Sequence, residues 1–269
     1  MAKVAKTSNQ KRRPRLPRIS INRMIPNILT LLALASGLTA MRFAFQERWE
    51  LAVFAIAVAA IFDALDGRIA RLLKGASKFG AELDSLSDFV CFGVAPAIIL
   101  FLWALQDAGR GTWVLVMLYA MCMGLRLARF NVATDDEDAP DWKSNFFTGV
   151  PAPAGAGLVL LPMILSFQAG DTYFRSPWFV SGFLFCVGAL LVSAIPTFSF
   201  KKLTIPRQHF LVSMLTVALV IALLASVPWL CLTVILFLYL GVIPLSIRSH
   251  RRYQTGETVY DDFDEEDDT

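Results

Sequence analysis

Long apolar runs dominate the pattern of hydrophobic and polar positions along this chain. Eight such runs occur, at about 25–46, 50–73, 80–104, 113–131, 151–168, 178–196, 209–226 and 228–247. A helix needs about 20 mostly apolar residues to cross the hydrocarbon core of a bilayer, and each run is close to that length. The pattern predicts an all-α integral membrane protein with about eight transmembrane helices. The short Val227–Pro228 connection predicts a tight hairpin between the last two helices.

Composition agrees with this interpretation. Hydrophobic residues make up 56% of the chain and the mean hydropathy is +0.56, which is well above the values of a soluble domain. The formal net charge of +3 is too close to neutral to indicate a nucleic-acid partner, and the chain has no nucleic-acid-binding motif.

The distribution of basic residues predicts the orientation. Alternate polar segments hold 21 of the 25 Lys and Arg residues, namely 1–24, 68–78, 126–150, 197–208 and the segment from 248 onward. Because cytoplasmic loops carry the excess of basic residues, both termini and the 68–78 turn are expected on the cytoplasmic side of the cell's inner membrane. The chain then divides into a basic segment (1–24), a transmembrane domain (25–247) and an acidic cytoplasmic tail (248–269). The basic segment either binds anionic lipid headgroups or only sets the topology.

Four aspartates lie inside this apolar sequence, at Asp63, Asp66, Asp84 and Asp88. One aspartate in mid-membrane costs roughly 2.5–3.5 kcal/mol even by low estimates, so such residues usually mark a cavity, an ion or a reaction. The first pair is spaced i, i+3 and the second i, i+4, so each pair shares one face of a helix. Two helices joined by the Lys74–Lys78 segment would bring all four carboxylates together.

The residues around the aspartates suit phosphate chemistry. Several carboxylates on two facing helices favour Mg²⁺ or Mn²⁺, and two such ions can bridge a diphosphate. Arg71 offers a fork of donors to phosphate, and Lys78 adds positive charge. Close approach of a ligand to the backbone is possible at the small residues Gly67, Ala70 and Gly80. The alternatives are ion pairs that only fix helix packing, a structural scaffold, or an ion-coupled transporter, but the chain shows no internal inverted repeat.

The spacing of these residues matches a named signature. The pattern D-x2-D-G-x2-A-R-x8-G-x3-D-x3-D is filled without departure by Asp63, Asp66, Gly67, Ala70, Arg71, Gly80, Asp84 and Asp88. The chain therefore resembles the CDP-alcohol phosphatidyltransferase family of membrane enzymes, which transfer a phosphatidyl group from CDP-diacylglycerol to an alcohol and release CMP. The resemblance implies a homodimer whose first six helices form the catalytic core.

The same resemblance implies roles for the signature residues. Asp63, Asp66 and Asp84 are expected to be metal ligands, with Asp88 joining them or acting as the general base on the acceptor alcohol. The expected CDP-binding positions are Gly67, Ala70, Arg71 and Gly80. Asn27 and Thr30, spaced i, i+3 at the start of the first helix, are expected to contact the nucleotide as well.

Other segments bear on the acceptor alcohol. The combination of F-G-V-A-P-A (92–97), R-L-A-R-F-N (126–131), F-x-G-x-P-x-P-A (147–154) and S-A-I-P-T-F-S-F-K-K (193–202) resembles the membrane-type phosphatidylserine synthases, which use L-serine. A serine carboxylate needs a cationic partner, and we expect Arg126 or Arg129 to supply it, with Asn131 close by. Both arginines can instead extend toward the membrane surface. The alternative acceptors are glycerol 3-phosphate, inositol and choline.

Overall fold

A computed structural model of the chain describes residues 21–73, 75, 77–134, 146–193, 196–198 and 210–242. Most of the basic segment 1–24 and the whole tail 248–269 lie outside these residues. Eight long helices occupy the described chain: α1 (Ile21–Phe45), α2 (Trp49–Leu72), α3 (Lys78–Leu105), α4 (Arg110–Thr134), α5 (Ala152–Ala169), α6 (Pro177–Val192), α7 (Phe210–Ser226) and α8 (Pro228–Val242). A helical turn, Asp171–Phe174, precedes α6. The all-α fold class predicted from the sequence is confirmed.

The helix positions agree closely with the apolar runs, with one correction. The run 178–196 predicted a helix to residue 196, but α6 ends at Val192, and Ser193 is extended. Pro196 starts a three-residue strand, β2 (Pro196–Phe198), which pairs antiparallel with β1 (Phe146–Thr148). Because proline disfavours a helical conformation in the residue before it, the helix cannot readily continue to this point.

Four of the described helices are long and apolar enough to cross a membrane: Met24–Phe45 in α1, the whole of α3, Arg110–Val132 in α4, and α5. Helix α2 has 24 residues but carries both Asp63 and Asp66, while α6 and α8 are apolar and shorter. Large apolar side chains cover the outer surfaces of the helices, for example Leu38, Phe54, Leu86 and Leu238. A soluble protein rarely exposes so much apolar surface, so the protein is a multi-pass membrane protein. That the chain crosses the membrane eight times stays a prediction.

Small residues bring α1 and α2 into close contact along their length. Six alanines on these two helices are buried, at Ala33, Ala40, Ala44, Ala52, Ala55 and Ala59, and α1 and α2 contact each other extensively. Helices in a membrane pack closely where small side chains let their backbones approach each other. This packing fixes α2, which carries two of the aspartates, against the start of α1.

Helix α3 changes its winding just after the last aspartate. Residues Phe89–Val94 and Phe101–Leu105 are π-helical, whereas Lys78–Asp88 is α-helical. Single π-helical turns inside α-helices are frequent at functional sites. The hydroxyl of Tyr119 in α4 donates a hydrogen bond of 3.0 Å to the carbonyl oxygen of Phe92, inside the first π-helical turn. Helix α4 therefore supports α3 one turn beyond Asp88.

Candidate active site

Helices α2 and α3 bring the signature aspartates together, as the sequence predicts. One carboxylate oxygen from each of Asp63, Asp66 and Asp84 lies within 4.8 Å of the other two. Asp66 is only 4% exposed, whereas the other two are half-buried. Three carboxylates this close repel one another unless a cation lies between them. We call Asp63, Asp66 and Asp84 the three-carboxylate group.

Thr30 connects this group to α1. Its hydroxyl donates a 2.6 Å hydrogen bond to Oδ2 of Asp66, and its carbonyl oxygen accepts a 3.2 Å hydrogen bond from the hydroxyl of Ser87 in α3. Thr30 is 3% exposed. The sequence suggested Thr30 as a nucleotide contact, and the structure adds that it holds α1, α2 and α3 together and orients one aspartate.

A pocket opens beside the three-carboxylate group and collects most of the predicted nucleotide-binding residues. It has a volume of about 140 Å³. Its lining consists of Pro26, Asn27, Thr30, Asp66, Gly67, Ala70, Gly75, Ser77, Gly80, Ala81 and Asp84. Arg71 and Lys78 do not line the pocket, and both are exposed at the α2–α3 turn.

The two glycines of the signature, Gly67 and Gly80, have different surroundings, so a small residue is needed at each for a different reason. A Cβ atom at Gly67 would have no heavy atom within 4 Å, so this position keeps the pocket open. A Cβ atom at Gly80 would lie 2.9 Å from Oδ1 of Asn27 and 3.1 Å from Oγ of Ser77. Ser77 Oγ also accepts a 3.0 Å hydrogen bond from the Gly80 amide, which caps the start of α3. Gly80 therefore makes room for protein side chains, whereas Gly67 leaves space for a ligand.

Asp88 lies beside the three-carboxylate group but is not part of it. Its side chain forms a hydrogen bond with that of Asp63, and it interacts electrostatically with Asp84 and Arg126. Asp63, Asp66 and Asp84 thus converge on one point, and Asp88 lies beside them. Both Asp63 and Asp88 interact with the buried guanidinium of Arg126.

The two arginines of α4 have different surroundings. Arg129 donates hydrogen bonds of 2.9 Å to Val192 O and 3.0 Å to Ser193 O, so it caps the last carbonyls of α6. Arg126 is 9% exposed, and its Nε atom has no hydrogen-bond partner among the described residues. The guanidinium of Arg126 lies 5.9 Å from the ring centroid of Phe130 and interacts electrostatically with Asp88. Arg126 thus interacts with an aspartate of the site, whereas Arg129 joins α4 to α6.

Asn131 contacts α3 rather than the pocket. Its Nδ2 atom donates a 2.9 Å hydrogen bond to the hydroxyl of Ser85, the residue that follows Asp84. Helix α4 is thereby fixed to α3 at the level of the aspartates.

Comparison with known proteins decides the family. Residues 23–194 match the sequence model of the CDP-alcohol phosphatidyltransferases, and this range contains most of α1 and all of α2 to α6. The chain belongs to the CDP-alcohol phosphatidyltransferase family.

Several relatives carry the same name, CDP-diacylglycerol–serine O-phosphatidyltransferase. The Mycobacterium tuberculosis protein is 39% identical over 239 residues, which cover 89% of this chain and 83% of the relative. The Mycobacterium leprae protein is 39% identical over 250 residues, covering 93% and 83%. The Helicobacter pylori protein is 33% identical over 197 residues, covering 73% and 81%.

Members of this family generally depend on a divalent metal ion, and the residues present fit one. Three converging carboxylates are the hard oxygen ligands that such ions prefer. Oδ1 of Asp84 is buried and has no hydrogen-bond partner among the described residues, although a buried carboxylate oxygen normally has one. A cation between Asp63, Asp66 and Asp84 would satisfy this oxygen and reduce the repulsion within the group.

Several residues of the site were not identified from the sequence. Ser77 carried a recognisable signal, because serine is a preferred residue immediately before a helix. Ser85 and Ser87 carried none, because their hydrogen bonds to Asn131 and Thr30 join residues far apart in the chain. Tyr239 of α8, which interacts with Arg126, also lacked a local signal.

Proposed function

We propose that this protein transfers the phosphatidyl group of CDP-diacylglycerol to L-serine, giving phosphatidylserine and CMP. The observation that carries the proposal is the identity of 39% across 89% of the chain to a relative named for this reaction. The reaction also suits the site, because it needs a metal-bound diphosphate, a nucleotide pocket and a base beside it.

The donor binds at the pocket end of the site. Asn27, Thr30, Gly67, Ala70 and Gly80 surround the CDP moiety, and the apolar helix surfaces keep the acyl chains in the bilayer. Arg71 and Lys78, exposed at the α2–α3 turn, add positive charge near the pocket mouth.

The three-carboxylate group would hold two ions, Mg²⁺ or Mn²⁺, with Asp88 at its edge. When bound, the ions supply positive charge to the diphosphate. Asp63, Asp66 and Asp84 fix where that charge lies, and the hydrogen bond from Thr30 holds the Asp66 carboxylate in place.

The acceptor binds at the Asp88 end. Asp88 takes the proton from the serine hydroxyl, whose oxygen attacks the phosphorus attached to diacylglycerol. The bond from this phosphorus to the bridging oxygen breaks, and CMP leaves with that oxygen. A positioned base contributes about 10²–10⁴-fold to such a step. Arg126 binds the serine carboxylate, because its guanidinium is buried beside Asp88 while the Arg129 guanidinium is engaged by α6.

The protein functions in the inner membrane, with the site and both termini on the cytoplasmic side, as the basic residues indicate. The domain 25–247 is catalytic, the segment 1–24 contacts anionic membrane lipids, and the tail 248–269 is cytoplasmic. The functional unit is a homodimer, for which the family resemblance is the support.

The experiment is turnover by purified protein at fixed CDP-diacylglycerol with serine, glycerol 3-phosphate, inositol or choline as the acceptor. We expect CMP release with serine only, loss of release with a chelator, and recovery with added Mg²⁺ or Mn²⁺. Release with a different acceptor and none with serine would replace the acceptor but keep the family reaction. No metal-dependent CMP release with any acceptor would overturn the proposal.

A further inference from the structure

Helix α8 lies outside the range 23–194 that defines the family match, yet it packs closely on α5. The ring of Trp229 lies 4.8 Å from the ring of Phe167, measured between centroids. The side-chain amide of Gln168 donates a 2.8 Å hydrogen bond to the hydroxyl of Thr233. One turn further along α8, Leu236 packs against Gly157. A Cβ atom added to Gly157 would lie 2.8 Å from Cδ2 of Leu236.

Tyr239 continues this face of α8. Residues 229, 233 and 236 follow the spacing of one helix face, and 239 is the next position on it. Because the partners of α8 run from 168 back to 157 along α5, Tyr239 lies toward the start of α5. This end of α5 contacts α4, since a Cβ atom at Gly155 would lie 3.6 Å from Cε of Met123. The Tyr239 hydroxyl is buried and interacts electrostatically with Arg126, which lies one turn beyond Met123 on α4.

Arg126 therefore has polar neighbours on several helices. It interacts electrostatically with Asp63 and Asp88 of the catalytic helices and with Tyr239 of α8. Arg129 is a further charged neighbour on its own helix. A long arginine side chain has many rotamers, and a buried partner reduces the number it can adopt. A phenol oxygen can accept a hydrogen bond from a guanidinium without cancelling its charge, so the charge stays available for an anionic ligand.

We propose that Tyr239 is a positioning residue that holds the Arg126 guanidinium toward the acceptor side of the site, so that α8 takes part in selecting an alcohol that carries a carboxylate. This inference rests on the proposed function, because it assigns Arg126 to the serine carboxylate. It gives α8 a direct part in acceptor selection although the helix lies outside the family-matched range.

The test is the variant Tyr239→Phe, which keeps the ring and removes only the hydroxyl. We expect the serine KM to rise about 10-fold, because the guanidinium of Arg126 loses the buried polar group that interacts with it, while the CDP-diacylglycerol KM stays unchanged. The preference for serine over ethanolamine, which lacks the carboxylate, should fall by a similar factor. The control is Thr233→Val, which removes a hydroxyl from the same face of α8 without touching Arg126, and should leave both KM values unchanged.

A double-mutant cycle checks that Tyr239 acts through Arg126. In an Arg126→Gln background, Tyr239→Phe should have little further effect on the serine KM, because the guanidinium it positions is absent. Independent, multiplying effects of the two substitutions would overturn the inference. So would an unchanged serine KM in Tyr239→Phe, or equal changes in the KM of both substrates. Failure of the Tyr239 inference and failure of the proposed function can be distinguished with the unsubstituted protein. If the unsubstituted protein did not use serine, the proposed function itself would be overturned.

Discussion

Asp66 and Asp88 belong to the same signature but have different neighbours. Asp66 is buried, accepts the hydrogen bond from Thr30 and lines the pocket beside Gly67. Asp88 forms a hydrogen bond with Asp63, interacts electrostatically with Asp84 and Arg126, and does not line the pocket. Burial by itself therefore does not define the role of a carboxylate here. We propose that their different neighbours make Asp66 a metal ligand and Asp88 the base.

Substitution by asparagine should separate these two roles. Asp66→Asn removes a charge from the three-carboxylate group, so we expect metal-dependent binding of CDP-diacylglycerol to weaken strongly. Asp88→Asn should retain most donor binding but lose about 10²–10⁴-fold in kcat, because an amide cannot accept the hydroxyl proton. Donor binding and CMP release measured on both variants provide the check. If Asp88→Asn lost donor binding as fully as Asp66→Asn, Asp88 would be a metal ligand.

Gly67 and Gly80 form a second matched pair, and alanine should affect them in opposite ways. Gly67→Ala meets no protein atom, so stability should rise by up to about 1 kcal/mol while the donor KM increases, because the methyl group enters the pocket. Gly80→Ala must displace Asn27 and should lower stability by about 1–3 kcal/mol. Thermal unfolding and donor KM measured on both variants test this. A loss of stability in Gly67→Ala would contradict our account of the pocket.

Two features of α3 and α4 keep the site in shape at the level of the helices. The π-helical turn after Asp88 is supported by Tyr119, and Asn131 fixes α4 to Ser85. Helix α4 thus contacts α3 at two levels, next to Asp84 and one turn beyond Asp88. The two arginines near the end of α4 add further connections. Arg126 interacts with the aspartates, and Arg129 joins α4 to α6.

Removing each arginine should therefore give a different result. Arg126→Ala should raise the serine KM more than the CDP-diacylglycerol KM, because the cation beside Asp88 is lost. Arg129→Ala leaves the last carbonyls of α6 without their donors, so stability should fall by about 1–3 kcal/mol and the two KM values should change alike. Steady-state kinetics for both substrates and thermal unfolding check the pair. A selective rise of the serine KM in Arg129→Ala would show that Arg129 binds the acceptor.

Across the whole molecule, the features that could be predicted are those encoded by local spacing. Apolar runs gave the position of each helix to within a few residues, and the i, i+3 and i, i+4 pairs correctly placed Asp63, Asp66 and Asp84 together. The predicted end of α6 was wrong, because apolar residues continue past Val192 to the strand that begins at Pro196.

The remaining features depend on residues that meet only after folding. Arg126 and Arg129 have the same charge and lie three residues apart, and only the packing of α6 and α8 around α4 distinguishes them. Tyr239 is likewise one of several aromatic residues in an apolar helix until its position relative to Arg126 is known. Local spacing contains no information on these long-range contacts.

The acidic tail provides a prediction for the whole chain. Residues 260–269 read Y-D-D-F-D-E-E-D-D-T, and they are remote in sequence from every residue of the site. Anionic lipid headgroups repel a strongly acidic segment. Removal of residues 256–269 should therefore leave kcat and both KM values nearly unchanged. The cut keeps Arg248, Arg251 and Arg252, the basic residues that we expect to orient the last helix. Assays in anionic vesicles at low and high salt, compared with the full chain, provide the measurement. A truncated protein that folds normally but loses most of its turnover would show that the tail acts on the site.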